Sequence, residues 1–215
     1  MLANWIVALG ENNGYIAQAT SVPGVAQRTG ATIYCVELFP KKWAEIQGQE
    51  PILSLMPVPG DVDIVIASEW MEAGRAISRG FVTKELTTLI ASTHRDYAIE
   101  EKSALQDGRQ DGGVIAEAVE NHARTALTFD MQALAQEVGC PLSAVLFGAL
   151  AHSQALPFPK DAYEQVLKED GRSFDANLNG FQAGFEAEPS IQSAKPPLEQ
   201  TVPDEICLLY TSRAH

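Results

Sequence analysis

A chain of 215 residues, 46% hydrophobic and 20% charged, carries enough apolar side chain for one sizeable core plus a tail. Its formal net charge of −13 repels phosphate backbones and anionic lipid, which argues against nucleic-acid and membrane binding. No apolar run approaches the roughly 20 residues that span a bilayer, and residues 1–5 lack the basic and apolar regions of a secretion signal; a cytoplasmic chain is expected.

In chain order, Leu2, Trp5, Ile6 and Leu9 recur at helical spacing, with Gly10 and Gly14 ending the run. Residues 15–20 read as a short strand, and a turn at Pro23-Gly24 leads to 32–39, a strand rich in β-branched and aromatic residues. Pro57 to Gly60 is punctuation that no helix or central strand tolerates. Residues 62–67 are apolar at nearly every position, the pattern of a strand buried on both faces of a parallel sheet. Ser68 is the expected cap of the next helix, with Glu69 and Glu72 in its first turn.

Residues 87–91 repeat the buried-strand pattern. Asp96 is expected to open a helix, and a Gly-rich loop over 107–113 separates it from a helix at 114–122. A strand at 126–129 follows, then Asp130 as N-cap of a helix over 131–138. Gly139 stops that helix, and Pro141 and Pro159 open the next two. Strands alternating with helical runs of about 10–15 residues predict a three-layer αβα fold around a doubly wound, mostly parallel, Rossmann-like sheet. Residues 1–186 form the domain on this reading. Prolines at 189, 196, 197 and 203 make 187–206 a linker or the start of a further domain. Cys207 to Ser212 resembles the translation of a sequencing-adapter end, so 207–215 reads as an artefactual tail, with a frayed native tail as the alternative.

No self-sufficient active site is legible. There is no G-x-G-x-x-G, no phosphate loop, no G-x-S-x-G elbow and no H-E-x-x-H, and the four histidines lack partners at catalytic spacing. His122 and His152 fall within expected helices, where a surface or satisfied histidine is the common case. Cys35, Cys140 and Cys207 lie far apart, which argues against a disulfide framework and against a metal site in this chain. The most informative stretch joins the first two strands: small residues, Gly24, Gln27, Arg28, Thr29 and Gly30. Loops at the carboxyl ends of strands form the ligand crevice of an open α/β sheet. An Arg fork there recognises phosphate or carboxylate, whereas a plain turn with a locally paired Arg is an equally weighted reading.

The run Pro23-Gly24-Val25-Ala26-Gln27-Arg28-Thr29-Gly30-Ala31-Thr32 resembles the A-Q-R-x-G motif of the gamma-type domain of 2-oxoacid:ferredoxin oxidoreductases, indolepyruvate oxidoreductase beta subunits in particular. Pro57 to Asp63, then Ala67-Ser68-Glu69 and Glu72-Ala73-Gly74-Arg75, is similar to that family's second signature. Leu89 to Arg95 matches its next strand end, and Ser143 to Leu150 its later N-x-x-x-L-G-A-L helix. The likeness covers roughly 1–185. Family members begin with an apolar strand and a Gly-rich turn ahead of the helix that opens this chain, so that first strand is missing. Both ends then look truncated, a mid-sheet ladder is left open, and poor solubility of the isolated chain is expected.

The resemblance implies a subunit of an enzyme that decarboxylates an indolepyruvate or other arylpyruvate oxidatively to acyl-CoA. Thiamine diphosphate and iron–sulfur clusters belong to a partner alpha subunit, coenzyme A is a substrate, and ferredoxin receives electrons through the complex. No cofactor is assigned to this chain, and no catalytic residue. Gly24, Gln27, Arg28, Thr29 and Gly30 are expected to face the partner or a bound anion; His94 and Arg95 form a weaker set, for which an ordinary polar loop is the favoured explanation. The competing readings are a non-catalytic scaffold subunit, an inactive fragment, and a stand-alone nucleotide-binding α/β protein.

Overall fold

The structure, a computed structural model, describes residues 1–23, 31–42, 45, 48, 51–94, 112–189, 191–192 and 206–213. Helix α1 (Leu2–Asn12) turns at Gly14, whose φ of 83° suits glycine, into β1 (Tyr15–Pro23). β2 (Ala31–Pro40) returns antiparallel to it, Tyr15 opposite Pro40 and Pro23 opposite Thr32. β3 (Ile64–Ala67) and β4 (Thr88–Ser92) flank helix α2 (Trp70–Ser78). Helix α3 (Gly112–His122), β5 (Thr125–Phe129), α4 (Met131–Val138), α5 (Leu142–Ser153), α6 (Lys160–Asp170) and α7 (Phe174–Glu186) follow. Two further strands close the described chain, β6 (Ile191–Gln192) and β7 (Ile206–Arg213).

These strands form one sheet in the order β1-β2-β7-β3-β4-β5-β6. β7, β3, β4 and β5 are mutually parallel, and β1 shares their direction because two antiparallel steps separate it from β7. β2 and β6 run the other way. The sheet is therefore mixed but mostly parallel, with helices on both faces: a three-layer, Rossmann-like arrangement. One face, with Val36, Leu38, Ile64, Ile66, Ile90, Leu127 and Leu208, packs on α1 and α4 to α7. The other, with Val65, Ala67, Leu89, Ala91, Ala126 and Leu209, packs on α2 and α3. Period-2 alternation in each strand assigns successive residues to these two cores. No single described helix is long and apolar enough to cross a membrane.

Local expectations hold closely at the helix ends. Asp130 Oδ1 accepts the Ala133 N–H at 2.8 Å, and Gly139 ends α4 in the left-handed conformation at φ 71°. Four details differ. Glu69, not Ser68, caps α2: it is extended, and its carboxylate accepts the Met71 N–H at 3.2 Å. Ser68 still belongs to the sheet, its N–H donating to the Thr211 carbonyl at 3.0 Å. Pro141 and Pro159 stand one residue ahead of α5 and α6, as N-caps in extended conformation. Gly112 and Gly113 lie inside α3 rather than in a loop. The helix expected from Asp96 and the rest of the Gly-rich segment lie outside the described residues.

The main departure is at the chain's end. Residues 206–213 are not a frayed tail: they form β7, paired with β2 on one side and β3 on the other. Ile206, Leu208 and Leu209 are 1%, 0% and 0% exposed, which puts this segment in both cores. β7 occupies the mid-sheet position in which an open ladder was expected, and so removes the basis for expecting poor solubility. β6, within the stretch read as linker, adds a short edge beside β5.

Candidate functional site

The carboxyl ends of β1, β3, β4, β5 and β7 share one edge of the sheet, the edge at which open α/β sheets place their ligand crevice. Pro23 and Thr32, paired at the end of β1 and the start of β2, stand there. The segment between these strands carries Gly24, Gln27, Arg28, Thr29 and Gly30; these five lie outside the described residues, as does Arg95.

His94 is described, and its position has a physical cause. Ser92, the last residue of β4 and fully buried, accepts the Met131 N–H at 3.0 Å. The same hydroxyl lies 2.7 Å from His94 Nδ1, with donor and acceptor set by the imidazole tautomer. The His94 carbonyl accepts the Trp70 N–H at 3.0 Å, and Thr93 N–H donates to the Phe129 carbonyl at 2.9 Å. The turn after β4 is thereby tied to the starts of both α2 and α4. Ser92→Ala should cost about 1–3 kcal/mol, since the buried Met131 N–H loses its acceptor. The check is a denaturant titration, and an unchanged midpoint would remove Ser92 as the anchor of His94.

The start of α2 is unsuited to a phosphate group. Glu69 and Glu72 are 1% and 3% exposed, and Glu72 is ion-paired with Arg75. The partial positive charge of the helix start is met by the chain's own carboxylates, which leaves an incoming anion repelled rather than held. A diphosphate-bearing cofactor therefore finds no seat at this helix start. An iron–sulfur cluster held by four thiolates would need one cysteine more than the three in this chain.

A second group of chemistry-bearing side chains lies on the sheet face shared with α2 and α3. Cys35 and Glu37 alternate along β2, and Cys207 of β7 stands opposite Glu37. One ligand atom from each falls within 4.8 Å of the others. Sequence distance hid this neighbourhood; the local signal was only the i, i+2 spacing of Cys35 and Glu37. The three cysteines are thus not isolated: Cys35 and Cys207 meet, and Cys140 stays apart. The hydrogen bond from Cys207 holds the Cys35 thiol below its ordinary range. The same bond, then burial, then the negative groups Cys35, Glu37 and Asp63 push the Cys207 thiol far up. Asp63 is itself raised by burial, and its Oδ2 accepts the Cys207 N–H at 2.8 Å.

A mostly parallel α/β sheet with helices on both faces and a backbone-anchored histidine at its carboxyl edge define a chain of the doubly wound α/β class. The chain belongs to the pyruvate ferredoxin/flavodoxin oxidoreductase family, whose model matches residues 1–187. Family membership makes it an oxidoreductase-type chain of the 2-oxoacid:ferredoxin enzymes, which typically work as multi-subunit complexes. No curated protein matches the chain.

Proposed function

We propose that this chain is the beta-type subunit of an indolepyruvate, or closely related arylpyruvate, ferredoxin oxidoreductase, and that it is inactive alone. The family match over 1–187 carries the reading. The narrower substrate rests on the likeness of Pro23 to Thr32 to indolepyruvate beta subunits, beside the family's Pro57 to Arg75 signature and Ser143 to Leu150 helix. On this proposal 1–186 is the gamma-type domain, it acts in the cytoplasm, and a partner alpha subunit owns thiamine diphosphate and the iron–sulfur clusters. Three cysteines and a carboxylate-capped α2 suit that division of labour. Coenzyme A enters as a substrate, and ferredoxin meets the complex.

The residues assigned to the interface are Gly24, Gln27, Arg28, Thr29 and Gly30, with the Arg28 guanidinium directed at a carboxylate or phosphate; His94 and Arg95 are a secondary set. A planar fork binds such groups through two parallel N–H donors, which an ammonium cannot copy. In the assembled two-subunit enzyme, Arg28→Lys is therefore expected to lower turnover per KM about tenfold or more. Unchanged kinetics would dismiss Arg28 from the site. The isolated chain should leave arylpyruvates unconsumed; unaided turnover would overturn the assignment as a whole.

A scaffold role is the second reading, favoured by the way Ser92 and His94 tie the end of β4 to the starts of α2 and α4. It predicts that activity survives substitution throughout residues 23–32 but fails when the subunit is left out.

A further inference from the structure

We propose that Cys35, Glu37 and Cys207 form a site for one thiophilic divalent cation, Zn²⁺ by chemistry, clamped between β2 and β7. Two sulfurs and a carboxylate oxygen within 4.8 Å of one another are a donor set that tetrahedral zinc accepts. Bond lengths of about 2.3 Å to sulfur and about 2.0–2.2 Å to oxygen put such ligand atoms roughly 3.5–3.8 Å apart. Side-chain rotation alone closes that difference.

Register explains why an ion suits this place better than a disulfide. Cys207 is directly opposite Glu37, whereas Cys35 is opposite Leu209, so the two cysteines are diagonal neighbours. Diagonal neighbours lie about 7–8 Å apart, their Cβ atoms somewhat less, whereas a disulfide needs Cβ atoms about 3.8 Å apart. An ion spans the diagonal without moving backbone. Both strands are held on both sides, β2 by β1 and β7, β7 by β2 and β3, so the ligands start from a rigid frame. Cys35 and Glu37 are buried, and the half-buried Cys207 provides the entry side. Glu37 accepts the Ser54 N–H through Oε2, an outer contact that orients the carboxylate. As the two Zn–S bonds form, both S–H bonds break and two protons pass to solvent. Water completes the fourth position. The site belongs to β7 in mid-sheet: a chain with another strand there would lack Cys207 and the ion with it.

The 215-residue chain, reduced and stripped of metal, should be titrated with ZnCl₂ against a chromophoric chelator. One ion per chain is expected, with binding about 100-fold weaker in Cys35→Ser or Cys207→Ser, about tenfold weaker in Glu37→Gln, and unchanged in Cys140→Ser. Undiminished binding in Cys35→Ser, dependence on Cys140, or no bound ion in the unaltered chain overturns the site. Where a variant fails to fold, Cd²⁺ added to the unaltered chain gives an independent reading. An ultraviolet charge-transfer band with the intensity of two thiolates per ion supports the site, and a band of one thiolate or none overturns it. Air oxidation to a Cys35–Cys207 disulfide in the presence of equimolar Zn²⁺ also overturns it.

Discussion

Gly148→Ala is expected to destabilise the fold by about 2–3 kcal/mol, lowering the melting midpoint by roughly 5–10 °C. α5 and α7 meet through their backbones. A Cβ on Gly148 would stand 2.0 Å from the Phe181 carbonyl oxygen and 2.8 Å from the Phe185 nitrogen. Across the same contact, a Cβ on Gly184 would stand 2.2 Å from the Val145 carbonyl oxygen. Neither obstacle is the end of a flexible side chain, so relief requires one helix to move off the other. That movement would unpack Phe147 and Phe181, both fully buried with ring centroids 5.9 Å apart. Alanine returns at most about 1 kcal/mol of helix propensity, which overpacking exceeds. Gly74→Ala is the control. Its Cβ would meet only the Ile115 side chain at 3.4 Å, so the propensity gain should leave the midpoint level or raised. Equal midpoints for the two variants would refute the backbone contact.

Deleting residues 206–215 is expected to abolish folding. Ile206, Leu208, Leu209 and Tyr210 are at most 9% exposed. At about 1.5–3 kcal/mol each, their burial contributes roughly 6–12 kcal/mol, of the order of the whole net stability of about 5–15 kcal/mol for a domain. The deletion would also strip β2 and β3 of their partner and open two ladders in mid-sheet. Far-ultraviolet circular dichroism and a thermal melt of the 1–205 chain are the measurements. A cooperative transition within a few degrees of the full chain would show that β7 is an accessory strand.

Between these two regions lies a difference in how much a reader of residues can see. The α5 face that accepts α7 is written in small residues, Ala144, Gly148 and Ala151, but that spacing alone does not name the helix that covers it. Gly180 and Gly184 on α7 answer it only once the two helices are side by side. At the sheet's carboxyl edge, the Ala-Ser-Glu run after β3 pointed to a capped helix start, and capping occurred one residue later than expected. Ser68 kept its β partner, Thr211, and the longer Glu69 carboxylate reached forward to Met71. The Ser92–His94 turn was legible as a strand end, but its tie to Met131 was not. The segment bearing Arg28 lies outside the described residues, and its role stays a proposal.

What the residues determined by themselves was local or repeated: helix and strand type from apolar periodicity, caps from Asp130 and Gly139, and family from ordered motifs over roughly 1–185, where the family model matches 1–187. Those signals span a few neighbours, and backbone geometry reads them directly. Tertiary structure alone decided that residues 206–213 close the middle of the sheet, that Cys207 meets Cys35 and Glu37, and that α5 and α7 touch at glycine. The Cys207 N–H finds its acceptor 144 residues away, on Asp63. A strand's partners are chosen by which surfaces remain unburied after every other element has packed, and no local window holds that information.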